Sequence, residues 1–160
     1  MKTSRGAYRL MRALFRLTDG GGRFRLNNQL KKILDDGRRA ETRRTFKYLR
    51  MAGYINQLEG DRFQVTDLAK INMLREVVKS RRPDGKLRIV IFDIPEKLKV
   101  NRDFFRRHLV ELGFKMQQQS VWASSFPCED LVQLVVRYHG LGKYVELVIG
   151  DIRTISSAAA

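Results

Sequence analysis

A chain of 160 residues with 43% hydrophobic and 31% charged side chains can bury a core or divide into two small domains, which excludes a disordered polyelectrolyte. One cysteine, Cys128, excludes an intramolecular disulfide, and two histidines, His108 and His139, match no familiar zinc-ligand spacing, so no structural metal is expected. The formal net charge of +15 is uneven: residues 1–82 hold 21 Lys and Arg against 8 Asp and Glu, and the remainder 11 against 9.

Basicity confined to one half points to a polyanion bound by that half, and nucleic acid is the expected partner. Apolar runs such as Leu131–Val136 are far too short to span a bilayer. The N-terminus carries no apolar signal core, so a cytoplasmic location without a membrane partner is expected.

In the first half, Leu10, Ala13, Leu14 and Leu17 recur at helical spacing, with Arg9, Arg12 and Arg16 outside the stripe. Asp19-Gly20-Gly21-Gly22 breaks that helix, and Arg23-Phe24-Arg25-Leu26 alternates as a short strand. Asn27 or Asn28 caps a second predicted helix through Leu30, Ile33 and Leu34 that ends near Gly37. A third is predicted over about Ala40–Ala52, with Phe46 and Leu49 toward the core.

Arg39, Arg43, Lys47 and Arg50 fall on one stripe of this third helix, with Arg44 beside it. Like charges four residues apart repel, and a phosphate backbone reverses that cost by neutralising them. A solvated helix face is the plainer alternative. Tyr54–Leu58 and Arg62–Val65, joined by Glu59-Gly60-Asp61, read as a hairpin in the position of a wing. Arg38, Arg39, Thr42, Arg43, Arg44, Lys47, Arg50 and Arg62 are therefore the candidate DNA-binding residues. One further helix is expected through Leu68, Ile71, Leu74 and Val78.

The stretch Tyr48-Leu49-Arg50-Met51-Ala52-Gly53-Tyr54-Ile55, followed after the turn by Phe63-Gln64-Val65-Thr66, resembles the corresponding ending of winged-helix transcription regulators. The resemblance implies a winged helix-turn-helix over residues 1–79.

Residues 80–86 are polar, contain Pro and Gly, and read as a linker. Beyond them come a strand over Leu87–Phe92, a helix over about Leu98–Leu112, strands near Phe114–Gln118 and Ser120–Ser124, a helix opening at Pro127, and a strand over Tyr144–Ile149. The order β-α-β-β-α-β predicts a ferredoxin-like domain over 87–152, and residues 153–160 read as a tail. The fold class is α+β. Trp122 is expected to pack in a core or dimer contact.

Phe92-Asp93-Ile94-Pro95-Glu96, Arg102, Arg106-Arg107 with Leu109, Leu112-Gly113-Phe114 and Gln119-Ser120-Val121-Trp122 resemble the phenylacetate-catabolism repressor family, PaaX. That resemblance implies an operator-binding transcription regulator that responds to an acyl-coenzyme A ligand, and a homodimer joined through the ferredoxin-like domain is expected. The chain is shorter than a typical repressor of that family, and an extra C-terminal region is expected to be absent. The same residues are similar to the small CRISPR-associated adaptation protein, a ferredoxin-like homodimer. This second resemblance implies an alternative: a Mg-dependent nuclease or an integrase-associated subunit, with Asp93 as its catalytic and metal-binding residue. A turn cap before Pro95 is the simpler role for Asp93, and no cofactor is otherwise expected.

Overall fold

The computed structural model describes residues 5–19, 22–25, 27, 31–32 and 39–151. Two units separate along the chain, Met1–Met73 and Leu74–Ala160.

In the first unit, Ala7, Leu10, Met11 and Leu14 form the buried stripe of helix α1, Arg5–Phe15. Strand β1 is Arg23–Arg25, helix α2 is Arg39–Met51, and strands β2 and β3 are Ile55–Gln57 and Arg62–Val65. The strands form an antiparallel sheet in the order β1-β3-β2. Phe24 and Phe63 stack on its inner face at 5.6 Å, and the Phe46 ring of α2 meets Phe63 edge-on at 5.4 Å. Leu49 is fully buried. The helix expected through Leu30, Ile33 and Leu34 lies largely outside the described residues.

The single helix expected from Leu68 to Val78 is instead two, α3 at Asp67–Asn72 and α4 at Leu74–Lys79. Thr66 caps α3, accepting the Ala69 N–H at 3.3 Å and donating to the Gly53 carbonyl at 2.7 Å. Asn72 donates through its side chain to the Leu68 carbonyl at 2.8 Å, a local bond that competes with helix continuation, and Met73 leaves helical geometry.

The second unit contains α4, strand β4 at Lys86–Phe92, a 3-10 turn at Glu96–Leu98, helix α5 at Lys99–Glu111, strands β5 at Lys115–Gln118 and β6 at Val121–Ser124, helix α6 at Glu129–Tyr138, and strand β7 at Val145–Asp151. Its antiparallel sheet runs β5-β6-β4-β7, with the first and third strands central and the second and fourth at the edges. That is the split β-α-β-β-α-β connectivity of ferredoxin-like domains. Val90, Phe92 and Trp122 are buried with Phe105 and Leu109 of α5 and Leu131 and Val135 of α6. Trp122 therefore lies in the core. Pro127, expected inside the first turn of the last helix, lies outside it: Cys128 is the residue before α6 begins.

Segment 80–86 is tied into this unit. Arg81 binds Asp130 through both guanidinium nitrogens, at 2.5 and 2.6 Å, and donates to the Pro127 carbonyl at 2.6 Å. Asp84 pairs with Arg88. Arg88 is 2% exposed, and its Nη2 bonds Asp84 at 2.7 Å and Glu129 at 2.6 Å. The acidic first turn of α6 is thus held to β4 and to the segment before it.

Candidate nucleic-acid interface

Helix α2 has one side fixed by Leu49 and Phe46 against the sheet. Arg43, Arg44, Lys47 and Arg50 are exposed, Thr42 is half-buried, and Tyr48 and Met51 are exposed beside them. At about 3.6 residues per turn, positions 43, 47 and 50 occupy one side of the helix and 44 its flank. Thr42 and Arg43 also make contacts within the molecule. Arg39 is the first residue of α2, with its side chain outside the description, and Arg38 lies outside the described residues.

The end of α2 sets the position of the hairpin. Gly53 has φ +76° and donates to the Arg50 carbonyl at 3.1 Å, while Tyr54 donates to the Leu49 carbonyl at 2.9 Å. This pair of bonds closes the helix and turns the chain at once into β2. Thr66 then clamps the far end of the hairpin to the same turn.

Arg50 faces this hairpin. Its Nη2 donates to Gln57 Oε1 at 2.5 Å, and its guanidinium carbon lies 5.8 Å from the centroid of the Phe63 ring. Gln57 in turn donates to the Gly60 carbonyl at 3.3 Å. Arg50 therefore links the helix to the hairpin turn, which gives it a positioning role. Arg62 pairs with Glu59 at 3.3 Å, both largely exposed. Strand alternation places Arg62 on the outer face of the sheet, away from Phe46.

Asp93 stands exposed just after β4, and its backbone N–H donates to the Tyr144 carbonyl at 2.9 Å. Among the described residues no group of three or more His, Cys, Asp and Glu side chains could hold a metal ion. Asp93 alone supplies one carboxylate, and holding Mg there calls for the matching aspartate of a second copy as well. The Cys128 thiol is buried, and that burial pushes its pKa up to about 12, the opposite of activation by a helix N-terminus.

Sequence reasoning missed two sets of residues. Arg23 and Arg25 join Arg62 on the outer face of the sheet, and the alternation Arg-Phe-Arg was the available signal. The Arg88–Glu129 pair carried no local signal, because Glu129 lies 41 residues from Arg88.

No described helix is long and apolar enough to cross a membrane. A family model described as the PaaX protein central Cas2-like domain matches residues 80–160, just over half of the chain. No curated protein and no solved structure matches it.

Proposed function

Since the chain belongs to the PaaX family, we propose that it is a cytoplasmic DNA-binding transcription regulator acting as a homodimer. In this reading the first unit is a winged helix, α2 its recognition helix and β2–β3 its wing, and the ferredoxin-like unit supplies the dimer contact. The observation that carries the reading is the exposed row Arg43, Lys47 and Arg44 on a helix pinned from behind by Leu49 and Phe46.

A helix lying in a major groove needs an outward polar face and a rigid mount, and α2 has both. Arg43, Arg44 and Lys47 would meet phosphates or base edges, joined by Thr42, Arg39 and Arg38 toward the start of the helix. Arg50 would hold the wing in register through Gln57. A dimer doubles the contact and calls for a two-fold related site.

Selection of bound sequences from a random duplex pool at near-physiological salt tests this directly. An enriched two-fold symmetric motif is the expected result. The variant R43E/K47E should bind that motif far more weakly, with a salt dependence flatter by about two units in the log–log slope. Unchanged binding by R43E/K47E would sink the recognition-helix assignment.

A further inference from the structure

The outer face of the first unit's sheet carries cations apart from the basic row on α2. Arg25 of β1 stands directly opposite Arg62 of β3, and Arg23 opposite Gln64. Phe24, Phe63 and Val65 turn to the core, so the three arginines and Gln64 share the other face. Like charges directly opposite each other weaken an antiparallel pair. A sheet that places two guanidiniums this way is built at a cost that a bound anion would cancel.

The same residues line an open groove of about 900 Å³, together with Leu17 and Leu58. That volume lies within the range of small-molecule sites, about 300–1,000 Å³. Its two acidic members, Asp19 and Glu59, are outnumbered by Arg23, Arg25 and Arg62. The Asp19 carboxylate accepts the backbone N–H of Arg23 at 2.8 Å, which ties it to the turn before β1. Glu59 meets Arg62 with its own side chain 93% exposed, a pairing that water and salt readily exchange. No ion pair from Arg23 or Arg25 is present among the described residues.

We propose that this groove is an oxyanion subsite that takes a phosphate group between the guanidiniums of Arg25 and Arg62, with Arg23 beside them. Guanidinium forks match phosphate oxygens two at a time, and adjacent strands bring two forks to one spot. Phe46 of α2 packs on the opposite face of the sheet, so this subsite is distinct from the recognition-helix surface and does not depend on it.

Titration calorimetry of the full chain with inorganic pyrophosphate tests the proposal. The expected result is saturable binding, weakened about tenfold or more in R25Q/R62Q and within about twofold of the parent in R43Q/K47Q. Thermal melting of each variant checks its fold, and the single variant R23Q provides a milder second case that should weaken binding less.

Absence of binding to the parent chain, equal binding in R25Q/R62Q, or equal loss in R43Q/K47Q overturns it. A duplex-binding arm then identifies the source of the phosphate. If R25Q/R62Q also weakens duplex binding, the phosphate is that of a nucleic acid backbone. If duplex binding stays unmoved, it arrives on a free small molecule. Either result requires the subsite.

Discussion

In the first unit, Arg43, Arg44 and Lys47 project from α2 toward solvent, and Arg23 and Arg25 from the outer face of the sheet. In the second, Arg81 and Arg88 close on Asp130, Asp84 and Glu129; Arg102 holds Glu96 and the Ile94 carbonyl; Arg106 spans the Phe92 ring and the Gln119 carbonyl. The same residue type therefore ties one unit together, buried at Arg88, and stands exposed on the other. The difference shows that charge in the second unit contributes to holding the fold, whereas much of that in the first is exposed. Substitutions should accordingly act on stability in one unit and on binding in the other.

The largest effect is expected at Arg88. Removing the side chain in R88A leaves Glu129 and Asp84 facing each other over a vacated, buried position. Breaking a buried pair from one side costs about 3–5 kcal/mol, and the partly exposed carboxylates put this case near the lower end. Chemical denaturation followed by Trp122 emission reads it, since Trp122 is the only tryptophan and lies in the second unit. Duplex affinity of the folded protein should not change. A loss under about 1 kcal/mol would remove the contrast between the units.

Two helix-ending glycines sharpen the comparison next. Gly53 and Gly113 have φ of +76° and +80°, and each closes its helix with the same two backbone bonds. A Cβ at Gly53 meets nothing within 4 Å, whereas at Gly113 it comes within 3.1 Å of the Phe126 ring. G53A should cost about 1–2 kcal/mol from left-handed backbone strain alone. G113A should cost about 1 kcal/mol or more beyond that, because the ring has to move. Equal losses in the two unfolding curves would mean that Phe126 yields without cost.

These caps also mark what the sequence made legible. Leu49 with Gly53-Tyr54, and Leu109 with Gly113-Phe114, lie within five residues of each other, so the closing bonds are local and their spacing is visible. The basic row on α2 is equally local, because helical periodicity alone puts residues 43, 47 and 50 together. What stayed hidden depends on register and distant partners. Arg88 sits in a mostly apolar strand, and only the fold brings Glu129 to it. Arg25 faces Arg62 only once β1 pairs with β3 rather than with β2. The break at Met73 was hidden for another reason: the apolar spacing runs through it unbroken, and the competing Asn72 side chain leaves no mark on that pattern.

Acid should act on the second unit through its pairs. The Arg81 guanidinium holds Asp130 below the ordinary carboxylate range against the opposing effect of burial, and Arg88 holds Asp84 there too. A depressed folded value means the stabilisation is complete above the unfolded pKa of about 3.9 and is lost as pH falls through the folded values. His139 adds a weaker, earlier phase. Burial, and then His108, lowers its pKa, so the unfolded chain takes up a proton first as pH drops below about 6.5. The denaturation midpoint read by Trp122 should therefore decline gently from near neutrality and more steeply below about pH 4. A midpoint that rises on acidification would contradict the pairing in this unit.

The smallest stability effect is expected where an ion pair lies on the surface of the first unit. Arg62 and Glu59 meet at 3.3 Å with side chains 49% and 93% exposed, whereas Arg88 meets Glu129 at 2.6 Å with its own side chain 3% exposed. E59Q removes the first pair, and exposed pairs are worth about 0–1 kcal/mol, so its unfolding curve should nearly overlay that of the parent. Pyrophosphate binding should nevertheless tighten, because the substitution removes a competing carboxylate beside Arg62. A measurable loss of stability without any gain in anion binding would make Arg62 a structural residue like Arg88. The division between an inward-facing and an outward-facing use of arginine would then fail at that position.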